Sequence, residues 1–146
     1  MKLAEKGRYA PPPELAAPAQ RVAQLVGHWP GVNARAHWLL GDESVVDGAD
    51  FYFGQEELGH IHLDAEAHIF IGKSGVDLLS SLGLARRFHW SRDIAVFKIL
   101  SQRDLAHALW LFELSYERCR GLAAAAILAR ISKYVPRTRR NALRAG

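Results

Sequence analysis

The chain has 146 residues, 49% of them hydrophobic and 23% charged, which is the size and make-up of one globular domain. A single cysteine, Cys119, excludes an intramolecular disulfide framework and a cysteine-rich zinc site; it fits a reducing compartment and reads as a buried, inert thiol. The net charge of +4 is uneven: residues 1–117 carry 11 basic and 15 acidic groups, whereas residues 118–146 carry 8 basic groups and no acid, so the basic character belongs to the C-terminal end. The first thirty residues lack an apolar signal-like core and no run of about 18 apolar residues occurs, so a cytoplasmic protein without a membrane span is expected.

In chain order, residues 1–13 end in Pro11-Pro12-Pro13 and read as a flexible, extended lead-in. A helix from about Glu14 places Val22, Leu25, Val26 and Trp29 on one side and stops at Pro30-Gly31. The pattern then alternates. Ala36–Leu40, about Asp50–Phe53, Leu58–Leu63 and Ala67–Ile71 read as short strands, separated by turn signals at Gly41-Asp42, Asp47-Gly48, Gly54-Gln55 and Asp64-Ala65. Such short connections imply antiparallel neighbours. Ser74–Leu84 reads as a short helix with Ser74 as N-cap, and Ile94–Leu100 as a last strand. Ser101-Gln102-Arg103-Asp104 resembles a capping box and opens a helix with Leu105, Ala108, Leu109, Phe112 and Tyr116 in one stripe. After Gly121 a second helix, Leu122–Tyr134, carries Ile127, Ile131, Tyr134 and Val135 on one side. The expected fold is α+β: an antiparallel sheet of about five strands with helices packed on one face, in a domain spanning residues 14–135, followed by a basic tail at 136–146.

Chemistry concentrates in Glu57-Leu58-Gly59-His60-Ile61-His62 and the nearby His68. Residues two apart on a strand share a face, so His60 and His62 point one way while Gly59, Ile61 and Leu63 point the other. If the loop to the next strand has an odd number of residues, for example Leu63-Asp64-Ala65, His60 falls opposite His68 and the three imidazoles share a face; an even loop separates them. Imidazoles titrate near neutrality and serve either as metal ligands or as proton carriers. A metal site would use His60, His62 and His68, with Glu57, Asp64 or Glu66 as supporting or fourth ligands. The spacing Gly54, five residues, His60-x-His62, three residues, Glu66 also approximates the first metal-binding motif of the cupins, but no second motif follows because residues 101–135 read as helical. Two imidazoles plus a carboxylate on strands suit divalent iron, manganese or zinc, so the cofactor expectation is one divalent metal ion or none.

Phe53–His62, Ala67–Ile71, Leu82-Gly83-Leu84-Ala85 leading to His89-Trp90, the strand Ile94–Ile99, and the helix Asp104–Arg118 with its Leu114-Ser115-Tyr116-Glu117-Arg118 end follow one another in unbroken order. Together they resemble one family, the domain named for the fungal luciferase that oxygenates hydroxyhispidin and found also in bacterial proteins. The resemblance covers about residues 50–118, and it implies an α+β fold with a pocket near His60, His62, His68 and His89. The membrane-spanning N-terminal segment of the fungal enzymes has no counterpart here, and Arg86-Arg87-Phe88 departs from the small and acidic residues usual before the later histidine.

On the oxygenase-type reading that the resemblance implies, a base deprotonates an acidic enol so that the anion can meet dioxygen. His60 or His62 would be the base and His89 or Arg87 would stabilise the anion. His68 would contact the ligand, a small, flat, mostly apolar compound lined by Trp90, Phe51 and Phe53. A non-catalytic domain binding a small ligand or a metal ion is the alternative. The basic C-terminal helix, with Arg130, Lys133 and Arg137 opposite Ile127, Ile131 and Tyr134, and with Arg139, Arg140 and Arg144 beyond, suits contact with an anionic membrane surface. Without interleaved aromatics or a nucleic-acid module, nucleic acid is not expected as a partner.

Overall fold

A computed structural model describes residues 2–134. The elements in order are α1 (Ala17–Gly27), β1 (Val32–Leu39), β2 (Asp42–Phe53), β3 (Glu56–His62), β4 (Glu66–Phe70), α2 (Lys73–Ser81), β5 (Arg86–Phe88), β6 (Ser91–Lys98), α3 (Leu105–Cys119) and α4 (Ala124–Lys133). The six strands form one sheet in the order β1-β2-β3-β4-β6-β5, with every neighbouring pair antiparallel. This is the expected α+β class with one strand more than anticipated.

Alternation divides the sheet into two faces. Ala49, Phe51, Ile61, Ala67, Ile69 and Ala95 point into the main core, where they meet Val22 and Val26 of α1, Val76 and Leu79 of α2, and Leu111 and Phe112 of α3. Phe51 and Phe112 meet edge to face at 5.7 Å. The apolar side of α4, Ile127 and Ile131, is spent in this same core, while Arg130 and Lys133 face outward. Tyr134 at its end stacks on Trp110 at 3.6 Å. The expected basic tail, with Arg137, Arg139, Arg140 and Arg144, lies outside the described residues. No described helix is long and apolar enough to cross a membrane.

Three differences from the sequence reading bear on the site. First, β2 begins at Asp42 rather than near Asp50, so Asp47-Gly48 lies inside a strand and is not a turn. Asp42–Asp47, with Val45 and Val46 side by side among polar residues, lacks the alternation that signals a strand, and backbone pairing to β1 supplies its strand character. Second, the edge strand β5 occupies what the sequence left as a loop, and it brings Phe88 onto the sheet. Third, α2 starts at Lys73 with Gly72, at φ 92°, as its N-cap, so Ser74 does not cap it. The capping role of Asp104 is as expected: its carboxylate accepts the backbone N–H groups of Leu100 (2.8 Å) and Ser101 (3.0 Å) ahead of α3. The lead-in follows the sheet. Lys2 forms a bridge with Glu56, Leu3 N–H donates to Gln55 (2.9 Å), and the Ala10 carbonyl accepts from Ala36 (2.9 Å).

Two glycines are dictated by close approach. A Cβ on Gly48 would lie 2.1 Å from the Ile61 carbonyl oxygen, and one on Gly59 would lie 2.5 Å from the His68 carbonyl oxygen and 3.0 Å from Phe112. Both pinch points sit where β3 meets a neighbouring strand. Gly59→Ala is therefore expected to lose at least about 1–3 kcal/mol of stability by forcing β3 from β4; urea denaturation measures this, and an unchanged midpoint would contradict the packing described.

Candidate functional site

The strand register builds a row across the uncovered face of the sheet. Arg35 pairs with Asp50, Asp50 with His60, His60 with His68, His68 with Val96 and Val96 with Arg86, and directly paired residues share a side. Two residues along, and so on the same face, His37 pairs with Gly48 and Gly48 with His62. Gly48 leaves no side chain between them, so His37 and His62 reach across β2 until their rings are 5.1 Å apart. The connection between β3 and β4 is the three-residue Leu63-Asp64-Ala65 loop, with Ala65 at φ 70°, the left-handed position that closes such a hairpin. The odd loop puts His60 opposite His68.

Four imidazoles consequently gather. His37 stacks on His60 at 4.0 Å, His60 meets His62 at 4.8 Å and His68 at 5.0 Å, and His62 meets His68 at 4.6 Å. Each has its own carboxylate: His37 Nδ1 with Asp50 (2.7 Å), His60 Nδ1 with Glu57 (3.0 Å), His62 Nδ1 with Asp47 (2.8 Å) and His68 Nε2 with Glu66 (2.8 Å). An ionised carboxylate only accepts, so it holds the proton on the ring nitrogen facing it and leaves the other nitrogen with a free lone pair whenever the ring is neutral.

Burial decides the charge state. His60 is only 8% exposed, and desolvation pushes its pKa down to about 3, against the upward pull of Glu57 and with help from the neighbouring His37 and His62. His68 is lowered for the same first reason. Asp50 is raised by burial, against the hydrogen bond with His37. Burial works against the charge of Glu57 too, but the hydrogen bond with His60 and the nearby Lys6 ammonium outweigh it and its pKa is lowered. Lys6, delivered by the lead-in, stands 3.6 Å from Asp50 Oδ2 and 3.5 Å from Glu57 Oε1. Asp50 Oδ2 and the Tyr52 hydroxyl are buried without a hydrogen bond.

Of the residues singled out in the sequence, His60, His62 and His68 come together. His89 does not join them: it is exposed, with its ring against Phe88 (5.3 Å) and Trp90 (4.8 Å). Trp90 is 74% exposed beside it. Phe51 and Phe53 lie on the helix-covered side, Phe51 against Phe112 and Phe53 against Tyr116 (5.6 Å). Arg87 points to α2, 3.3 Å from Asp77 and 3.2 Å from Ser80. The arginine on the histidine side is Arg86, 3.5 Å from Glu66, and the aromatic ring against the cluster is Phe88, 4.7 Å from His68. His37, Asp47 and Asp50 are the site residues the sequence reading missed. His37 lay in a strand the sequence did indicate, and reading Asp47-Gly48 as strand would have put it on this face.

The fold and these paired side chains define a class: an α+β domain whose open sheet face carries carboxylate-backed histidines. A family model of the Luciferase domain matches residues 55–115, from the β2–β3 turn into α3. The matched stretch is similar to that domain and includes three of the four clustered histidines. No curated protein and no solved structure matches the chain.

His60 and His68 are less basic in the fold than in the unfolded chain, so between an ordinary histidine pKa near 6.5 and the lowered folded value the unfolded state binds more protons. Stability is complete above that range and falls as pH drops through it, by up to about 1.4 kcal/mol per pH unit for each such group. Urea denaturation from pH 7 to 5 tests this; His60→Gln should give a shallower pH slope, and equal slopes would refute the assignment.

Proposed function

We propose that this luciferase-like domain holds a small, flat, mostly apolar compound against the four-histidine face and acts on it in an oxygenase-type reaction. The observation that carries the reading is the set of carboxylate-held imidazoles: buried His60 and half-buried His62 keep Nδ1 on Glu57 and Asp47, and Nε2 has no hydrogen bond. A neutral imidazole held this way accepts a proton without first shedding one, and proton transfer to such a base contributes typically ~10² to 10⁴ in rate. An enol placed on this face would lose its proton to His60 or His62, and the resulting electron-rich anion would meet dioxygen. Phe88 offers the apolar ring surface beside His68, and Arg86 is the cation next to the anion's position. His89 and Trp90, at the exposed end of the same aromatic run, would contact the compound's outer edge.

Oxygen uptake by the full chain with a panel of enol-bearing pyrones tests the reading. His62→Ala is expected to lower turnover by about 10² or more, and Asp47→Asn, which keeps the ring but removes its anionic holder, to lower it less. Arg87→Ala should leave turnover unchanged, because that guanidinium lies across the sheet. Turnover that survives both His60→Ala and His62→Ala would end this proposal.

A further inference from the structure

We infer that His37, His60 and His62 form a binding site for one divalent first-row transition-metal ion, with Asp50, Glu57 and Asp47 as the carboxylates that orient them. The inference rests on the reading of this face as the working face and says what its lone pairs hold. One ring nitrogen of each of the three residues lies within 4.8 Å of the other two. A tetrahedral ion at ~2.0–2.1 Å from each ligand needs its donors roughly 3.4 Å apart, so the rings have to close by roughly 1.4 Å at most, within reach of side-chain rotation. His68 is not part of this tight group; its Nε2 is held by Glu66, on the other side of His62.

Three independent features favour an ion over a merely hydrogen-bonded cluster. Metal-ligating histidines almost always donate their second ring N–H to a carboxylate, a backbone carbonyl or water, and here all three face carboxylates, three different ones at 2.7–3.0 Å. Binding requires neutral imidazoles, and rings packed at 4.0–5.1 Å cannot all carry protons without strong mutual repulsion. Beneath them Asp50 Oδ2 is fully buried with no hydrogen bond, and the Lys6 ammonium faces it from 3.6 Å. A second grouping, His37, Asp50, Glu57 and His60, consists of the hydrogen-bonded pairs themselves, and an ion there would have to break them. Three imidazoles suit zinc, iron, nickel or copper, and a three-ligand site keeps coordination positions open for a small molecule. With His60 and His62 committed to the ion, proton acceptance passes to His68, whose Nδ1 is free.

The full chain without a histidine tag, stripped with chelator and titrated with Co(II) and Zn(II), tests the site by calorimetry and by the visible absorption of bound cobalt. One ion per chain is expected. His37→Gln and His62→Ala should abolish this one-to-one binding, Asp47→Asn should weaken it about 10- to 100-fold, and His28→Ala, at the end of α1, should leave it intact; circular dichroism checks that each variant is folded. No binding, several weak ions, equal binding by folded His37→Gln, or loss with His68→Ala in place of His37→Gln would overturn the assignment. Enol turnover by chelator-stripped, metal-free protein would remove the ion and leave the proposed function standing, whereas tight one-to-one binding without turnover would do the reverse.

Discussion

Everything on the uncovered face depends on a one-residue register. In a β-sheet a shift of one residue sends a side chain to the opposite surface, and the pairing of Asp50 with His60 and of His60 with His68 is what stacks acid and imidazole in one row. Two local features hold that register. Ala65 takes the left-handed backbone conformation that closes a three-residue hairpin, and the absence of side chains at Gly48 and Gly59 lets β3 approach both neighbours. The sheet core, with Phe51, Ile61 and Ile69 on the other surface, enforces the same answer: slipping β3 would expose Ile61 and bury His60 and His62 among apolar side chains.

The register in turn creates an electrostatic problem with a specific solution. Asp50 and Glu57 are nearly inaccessible, at 0% and 2% exposure, and a buried charge is tolerated only when paired and hydrogen-bonded. The imidazoles provide the hydrogen bonds and Lys6 provides the countercharge. Protonating the imidazoles would add countercharge too, but burial opposes it at His60 and His68, so these two rings meet their surroundings as neutral donors and acceptors. That is the condition in which an imidazole is useful, either to a proton or to a cation.

Much of this was legible from the residue order. Period-two alternation gave His60 and His62 a common face, and the short turns gave antiparallel neighbours. The helical stripe of α3 and its Asp104 cap were also readable. What was missed has physical causes. The polar stretch from Asp42 to Asp47 carries no hydrophobic alternation, so its pairing with β1 left no trace, and Asp47-Gly48 looked like a turn although the glycine serves close strand contact. Without that strand, His37 had no reason to approach His60. The aromatic assignments went astray for a simpler reason: Phe51 and Phe53 alternate with Asp50 and Tyr52, so once Asp50 faces the histidines those two rings belong to the core. The same alternation exchanges Arg87 for Arg86. The Asp64-Ala65 turn was readable, but the left-handed backbone of Ala65 was not, because alanine is not a residue whose chemistry favours that conformation.

Lys6 reaches the interior from a stretch of chain that precedes the first helix and is held on the sheet by backbone hydrogen bonds and by Arg35 and Trp38, which donate to the carbonyls of Gly7 and Arg8. The ammonium is the countercharge that those contacts keep in place. Lifting it away would strand two carboxylates beneath the imidazoles, make each ring a stronger base and deepen the attraction for any incoming cation. Through Lys6 the stretch ahead of the first helix thereby sets the electrical state of the interior.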